Sequence, residues 1–152
     1  MRLTTKGRYG VRAIFNLASS YQNRPVSIKK ISKEEQISPE FLEQIFFKLK
    51  KAGIIRSLRG PGGGFVLNKK ASEISIKDIL DAVGENVFPV PCTDREAEER
   101  CEREDICSLT DVWKQFADII IEFLSNLTLQ DILDKNGKKY YDSLKEGQDF
   151  TI

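Results

Sequence analysis

Residues 38 to 53, SPEFLEQIFFKLKKAG, carry signals for both ends of a helix, and they constrain the fold more than any other stretch. Ser38 stands as N-cap and Pro39 at the first helical position, with Glu40 in the first turn and Lys48, Lys50 and Lys51 crowding the last turn before Gly53. The Ser38 hydroxyl can accept from an amide that the helix leaves unbonded, and Pro39 has no amide to leave unbonded. Gly53 tolerates the left-handed backbone that ends a helix, and the charges at the two ends suit its dipole. Phe41, Leu42, Ile45, Phe46 and Leu49 recur at helical spacing as a core face. Glu40, Glu43, Gln44, Phe47, Lys48 and Lys51 are left on the outward side.

The flanking segments turn this helix into a motif. Upstream, RPVSIKKISKEEQIS offers Ser27 as the N-cap of a short helix with Ile28 and Ile31 buried, broken near Gln36 and Ile37. Two helices joined by a short turn outline a helix-turn-helix. Thr5 to about Ser20 reads as a scaffold helix, with Tyr9, Ala13, Ile14, Leu17 and Ala18 on one side and Lys6, Arg8 and Arg12 elsewhere. Downstream, IIRSLRGPGGGFVLN sets two β-prone runs, Ile54 to Leu58 and Phe65 to Leu67, around a glycine-rich tip. The tip has no Lys-Ser/Thr and no following helix, so a nucleotide loop is disfavoured. A hairpin after a helix-turn-helix is a wing. The expected fold is mainly α with a small β-hairpin wing: a winged helix-turn-helix domain over residues 1–70, followed by a long dimerisation helix.

Net charge, +1, conceals a division. Residues 1–70 hold 15 Lys and Arg against 4 acids, and residues 71–152 hold 9 against 19. A basic half beside an acidic half points the first toward a polyanion, double-stranded operator DNA given the motif; the bland alternative is two solvated faces that neutralise each other. Glu43 suits a cytosine amino group and Gln44 an adenine. Lys48, Lys51 and Lys50 suit phosphates, which give affinity without sequence information. Arg59, and less directly Arg56, sit where a wing reaches phosphates or a narrow minor groove. No histidine, Walker, dinucleotide or G-x-S-x-G motif occurs, so an enzyme is not expected. Arg12 and Asn16 interrupt the apolar content of the N-terminus, which argues against a signal peptide or membrane span and for the cytoplasm.

The second half changes character. Ser75 and Asp78 form a capping-box pattern ahead of Ile76, Ile79, Leu80 and Val83, and Pro89 and Pro91 lead on from this connecting region, residues 71–91. Residues 92–107, CTDREAEERCEREDIC, contain all three cysteines among seven acids and three arginines. An odd count cannot pair within one chain, and the spacing lacks zinc knuckles. In a reducing compartment such thiols suit cluster ligation, with a clusterless thiol switch as the alternative. Residues 108–133 read as one long helix, opened by a Ser108/Asp111 capping-box pattern. Its apolar residues Val112, Trp113, Phe116, Ala117, Ile119, Ile120, Ile121, Phe123, Leu124 and Leu127 are too many for one stripe. Either it lies in the middle of one core, or it is the interface of a homodimer, the expectation adopted. Residues 134–152 read as a polar tail.

MRLTTKGRYGV, ISPEFLEQIFFKLKKAGII, RSLRGPGGGFVL and the three cysteines ahead of CSLTDVW resemble the iron-sulfur cluster regulator (IscR) family of bacterial winged-helix transcription factors, from Met1 to about Leu133. The resemblance implies a dimer that binds operator DNA and senses iron-sulfur, redox or nitric oxide status. It implies a cluster, 2Fe-2S before 4Fe-4S, on Cys92, Cys101 and Cys107. Members with this trio often supply a histidine three residues after the last cysteine, where this chain has Thr110; a nitric-oxide-sensing branch uses an N-terminal aspartate, where this chain has Arg8. The fourth ligand is therefore open among Asp111, Glu104, Asp105, a partner-chain carboxylate and an exogenous thiol. A clusterless branch, controlled by docking to a metabolic enzyme, generally lacks the trio.

Overall fold

The computed structural model describes residues 2–20 and 24–135. Three helices open the chain: α1 (Thr5–Ser20), α2 (Ile28–Glu35) and α3 (Pro39–Lys51). Ser27 caps α2 by accepting from the Lys30 amide, and Ser38 caps α3 by accepting from that of Phe41. Gln36, in left-handed backbone, makes the turn between them. Gly53 takes the same conformation after α3, with φ +76°. Leu42, Ile45, Phe46 and Leu49 of α3 and Ala13, Ile14 and Leu17 of α1 are buried, with Phe41 and Tyr9 packed at the margin of the core.

A polar strut ties these helices together, where the sequence suggested only a wet face for Arg12. Asn16 is buried and its Nδ2 donates to Glu35 Oε1 and Glu34 Oε2, each at 2.9 Å. Arg12 donates through Nε to Glu35 Oε2 at 3.2 Å and through Nη2 to the Glu35 carbonyl at 2.7 Å, satisfying an end of α2. Its guanidinium lies 5.3 Å from the centre of the Tyr9 ring, which meets Phe41 edge to face at 5.7 Å. Burial leaves the Glu35 carboxyl above its ordinary value, although Asn16 and Arg12 pull it back down.

The wing pairs β1 (Ile55–Leu58) antiparallel to β2 (Gly64–Leu67), with Ile55 opposite Leu67 and Leu58 opposite Gly64. Val26 exchanges backbone hydrogen bonds with Phe65 at 2.9 and 2.8 Å, and Phe65 meets Phe46 of α3 edge to face at 4.9 Å. The hairpin is thus fixed relative to α3. A side chain at Gly63 would collide with the Leu58 carbonyl, which explains one glycine of the tip. Next, α4 (Ile76–Ala82) begins with the expected Ser75–Asp78 capping box and buries Ile76, Ile79 and Leu80 together with Val83, its C-cap.

The last part of the chain departs from expectation twice. Helix α5 (Thr110–Asn126) starts after Leu109, with no side-chain cap, so the Ser108/Asp111 capping box does not form. Thr110 Oγ1 instead donates to the Glu104 carbonyl at 3.0 Å. The helix expected over 108–133 is also two helices. Leu127 ends α5, and a further helix, α6, covers 129–135, the last of the described residues. Between them, Thr128 bridges to Ser75, with the Ile76 amide on Leu127 O and the Leu129 amide on Ile74 O at 2.9 and 2.8 Å. Thr128 and Asp131 cap α6 reciprocally. From residue 136 on, the expected tail lies outside the described residues. Among those described, no helix is long and apolar enough to cross a membrane.

Candidate nucleic-acid interface and cysteine loop

Helix α3 shows its polar side to solvent because its apolar side is held by α1, α2, α4 and the wing strands. Glu40, Glu43, Gln44, Phe47, Lys50 and Lys51 are all exposed. Among the described residues none makes an ion pair or side-chain hydrogen bond with Glu43, Gln44 or Lys51, so these groups are open to a ligand. Lys48 differs: its Nζ turns aside to the Val83 carbonyl at 3.5 Å, at the end of α4. A cation there suits the helix terminus, and Lys48 stays exposed while its ammonium group leans toward α4.

On the wing, Arg56 is exposed on the side of β1 opposite buried Ile55, and Leu58 shares its side. Arg59 lies exposed at the turn, beside Gly60. Neither arginine is held by an ion pair among the described residues. The exposed side of α3 and the wing tip thus offer cations unpaired among the described residues (Lys50, Lys51, Arg56, Arg59), the amide of Gln44 and the acids Glu40 and Glu43, group types that can meet phosphates and base edges of duplex DNA.

A second connection runs from this module to the cysteine region. Thr4, just ahead of α1, donates through its amide at 3.0 Å and through its hydroxyl to the buried Glu85 carboxylate. Gly7 leaves room for that carboxylate, since a Cβ there would sit 2.5 Å from Glu85 Oε2. Glu85 begins the irregular passage toward Cys92, and its anchoring role had no sequence signal beyond the acid itself.

The cysteine loop opens on a short 3-10 helix, Pro91–Thr93, that carries Cys92, and continues in turns and bends. Asn86 donates to Asp94 at 2.7 Å, and Arg100 clamps Glu104 through Nε and Nη2 at 3.1 and 2.7 Å, which holds the Glu104 carboxyl below its ordinary value. All three cysteines are free: Cys92 and Cys107 are half-buried and Cys101 is exposed. Cys92 lines a cleft of about 1100 Å³ between α4, residues 84–96 and α5; Cys101 and Cys107 do not. Asp111 is exposed in the first turn of α5 and, with the capping box unformed, is not committed to Ser108. Asp105 is exposed as well. Three thiols with a carboxylate suit an iron-sulfur cluster chemically. Their arrangement here does not, because among the described residues no three Cys, Asp or Glu side chains converge on one point.

Helix α5 divides its apolar residues between two sides. Ala117 is buried, and Ile121, Leu124 and Leu127 pack on the core. Leu109, Val112, Phe116, Ile119 and Phe123 are 50%, 52%, 45%, 65% and 63% exposed. Their spacing alternates three and four residues, the seam of a helix packed on another helix.

A family profile described as Rrf2, iron-dependent transcriptional regulator, matches residues 3–135. The HTH-type transcriptional regulator IscR of Pectobacterium carotovorum is 41% identical over all of this chain and 89% of that protein. IscR of Escherichia coli is 38% identical over 92% of this chain and 88% of that protein. Among solved structures, T. potens IscR superposes with a TM-score of 0.72 at 30% identity, covering 100% of this chain and 94% of that one. CymR, the global cysteine regulator of B. subtilis, gives 0.71 at 29% identity, covering 89% and 98%. With the winged helix in place and the match running through α5 into α6, the chain belongs to the Rrf2 family of transcriptional regulators.

Proposed function

We propose that this chain is a sequence-specific DNA-binding regulator that holds its operator as a homodimer, under the control of an iron-sulfur cluster ligated by Cys92, Cys101 and Cys107. The observation that carries the reading is one of position. Three free thiols, Cys92 on a short 3-10 helix and the other two among turns, occupy a loop that runs straight into α5, the helix with the unpartnered heptad stripe. A change in that loop acts on the start of the helix seam and, through Glu85 and Thr4, on the start of α1. Both elements set where two copies of α3 lie.

Within this reading Glu43 and Gln44 contact bases, Lys51 and Lys50 contact phosphates, and Arg59 enters the groove beside the wing, with Arg56 behind it. Lys48 serves first to hold α4 against α3. When bound, the cluster supplies a centre whose loss or oxidation follows iron, oxygen or nitric oxide. The chain's part is to bring three sulfurs together, and a loop whose one regular element is the short 3-10 helix at Cys92 can do so without disturbing the core. Asp111 is the fourth donor that fits best, since Thr110 is committed to the Glu104 carbonyl and Glu104 to Arg100. The resemblance to IscR regulators, and not the donor set, is what favours a 2Fe-2S centre over 4Fe-4S, since three thiolates and a carboxylate suit either. One observation favours a second reading, in which thiol oxidation or a docked metabolic enzyme controls a clusterless protein: the three sulfurs do not converge.

Anaerobic absorption and Mössbauer spectra of the reconstituted protein separate the two. A coloured 2Fe-2S protein that bleaches in each Cys→Ala variant, and whose bands shift in Asp111→Ala without loss of melting temperature, is the expected result. A colourless protein after reconstitution rejects the cluster and leaves the thiol or docking reading.

A further inference from the structure

Phe47 is 69% exposed on α3, and nothing in the fold accounts for it. The other exposed large apolar residues have neighbours of their kind in the α5 seam with Ile106, or belong to the wing, as Leu58 does. Phe47 stands apart from them, in the middle of the polar side of α3. With 3.6 residues per turn, Glu40, Glu43, Gln44 and Lys51 all fall within about 60° of it around the helix axis. Of these, Glu43, Gln44 and Lys51 face DNA in the reading above, on which this inference rests.

A phenyl ring can donate nothing to a phosphate and accept nothing from a base edge. The apolar feature that the major groove offers it is the C5-methyl of thymine. A protein partner would want further apolar surface around the ring, and the surroundings are Glu43, Gln44, Lys50 and Lys51 instead, all exposed. Cations beside an apolar point are the complement of a phosphate-walled groove floored with methyl groups. We propose that Phe47 is a specificity-determining residue whose ring packs on the C5-methyl of one thymine in each half-site. The register follows from geometry. Gln44 and Phe47 are three residues apart, a rise of about 4.5 Å along the helix, against 3.4 Å per base step. The thymine lies one or two base pairs from the pair read by Glu43 or Gln44.

The experiment uses the full-length protein and a duplex that it selects from a randomised pool. Each thymine is then replaced by deoxyuridine, symmetrically in both half-sites, which removes one methyl and leaves every hydrogen bond. One position should weaken binding by about fourfold per half-site, the effect of one buried methyl group, and the others should do little. Phe47→Ala should bind the thymine duplex more weakly and lose the distinction between thymine and uracil at that position. Its melting temperature should match the wild type, because the ring is exposed in the fold. No thymine of this kind, or the same preference in Phe47→Ala, overturns the proposal while leaving DNA binding intact. A pool from which no duplex is enriched overturns the DNA-binding reading and the proposal with it.

Discussion

Phe123→Asp tests the assembly on which the functional reading depends. Phe123 is 63% exposed in the single chain, so the substitution removes no core contact and the subunit should fold. Burying a whole phenylalanine side chain is worth about 1.5–3 kcal/mol, so covering its exposed part gives about 1–2 kcal/mol in each subunit. Twofold symmetry doubles this to about 2–4 kcal/mol, or roughly thirtyfold to a thousandfold in the dimer dissociation constant. An aspartate adds the cost of taking two like carboxylates out of water, several kcal/mol more. At micromolar concentration the variant should be monomeric by sedimentation velocity, with a helical spectrum and melting curve close to those of the subunit. Operator affinity should fall steeply, because two linked half-site contacts become one. A folded Phe123→Asp that still sediments as a dimer with wild-type affinity for itself would place the interface elsewhere and refute the reasoning from the seam.

Other perturbations address stability and recognition. Arg12→Ala leaves Glu35 buried beside Asn16 without its cation, and should cost about 2–4 kcal/mol at neutral pH, discounted from a fully buried pair because Arg12 is 27% exposed. The sign with pH follows from the raised Glu35 carboxyl. A folded-state pKa above the unfolded one gives stability that is complete below the unfolded value and lost as pH rises through the folded value. Removing Arg12 raises the folded value further, so the deficit measured by urea unfolding should grow from mildly acidic to neutral pH; a deficit that grows toward acid would contradict this. Arg59→Ala should weaken binding more for an operator with A·T-rich flanks beneath the wing than for a G·C-rich one; an equal, small loss on both would make it a phosphate contact. Glu43→Ala should relax base choice in a selection while nonspecific binding holds or improves, and an unchanged consensus would remove Glu43 from readout.

Where the sequence was legible, the information was local. Ser27, Ser38 and the Ser75–Asp78 pair cap their helices as read, because a cap needs only a side chain and an amide two or three residues on. The wing followed from two β-prone runs around glycines. Ser108 and Asp111 show why the same pattern fails: Thr110 is held by the Glu104 carbonyl, so the helix begins too late for Ser108 to cap it. The equivalent Thr128–Asp131 pattern is a true cap, hidden in an apolar run that looks continuous. What breaks that run is the backbone bridge to Ser75, about fifty residues earlier in sequence and invisible to local periodicity. Nothing local distinguished Arg12, Asn16 and Glu35 from solvated polar residues either, since their partnership exists only once α1 lies on α2. At the candidate site, the outward face of α3 was readable from helical spacing, whereas the diversion of Lys48 to Val83 required the position of α4. The excess apolar surface of α5 was legible as an amount; which residues face away from the core was not. As for the cysteines, their residue types indicate a chemistry that their separation in this fold does not display.

The central claim is that the state of the cysteine loop sets the grip on DNA, and one affinity comparison addresses it directly. Full-length protein, reconstituted anaerobically with iron and sulfide or kept metal-free under reductant, is titrated against a duplex that it has selected, at one salt concentration. Coupling between two sites in one protein commonly amounts to fivefold to a hundredfold, so the two dissociation constants should differ by about tenfold or more. Cys101→Ala, in which an exposed thiol is lost and no core contact changes, should show one constant under both treatments. Equal affinities for loaded and metal-free wild-type protein would contradict control by a cluster at Cys92, Cys101 and Cys107.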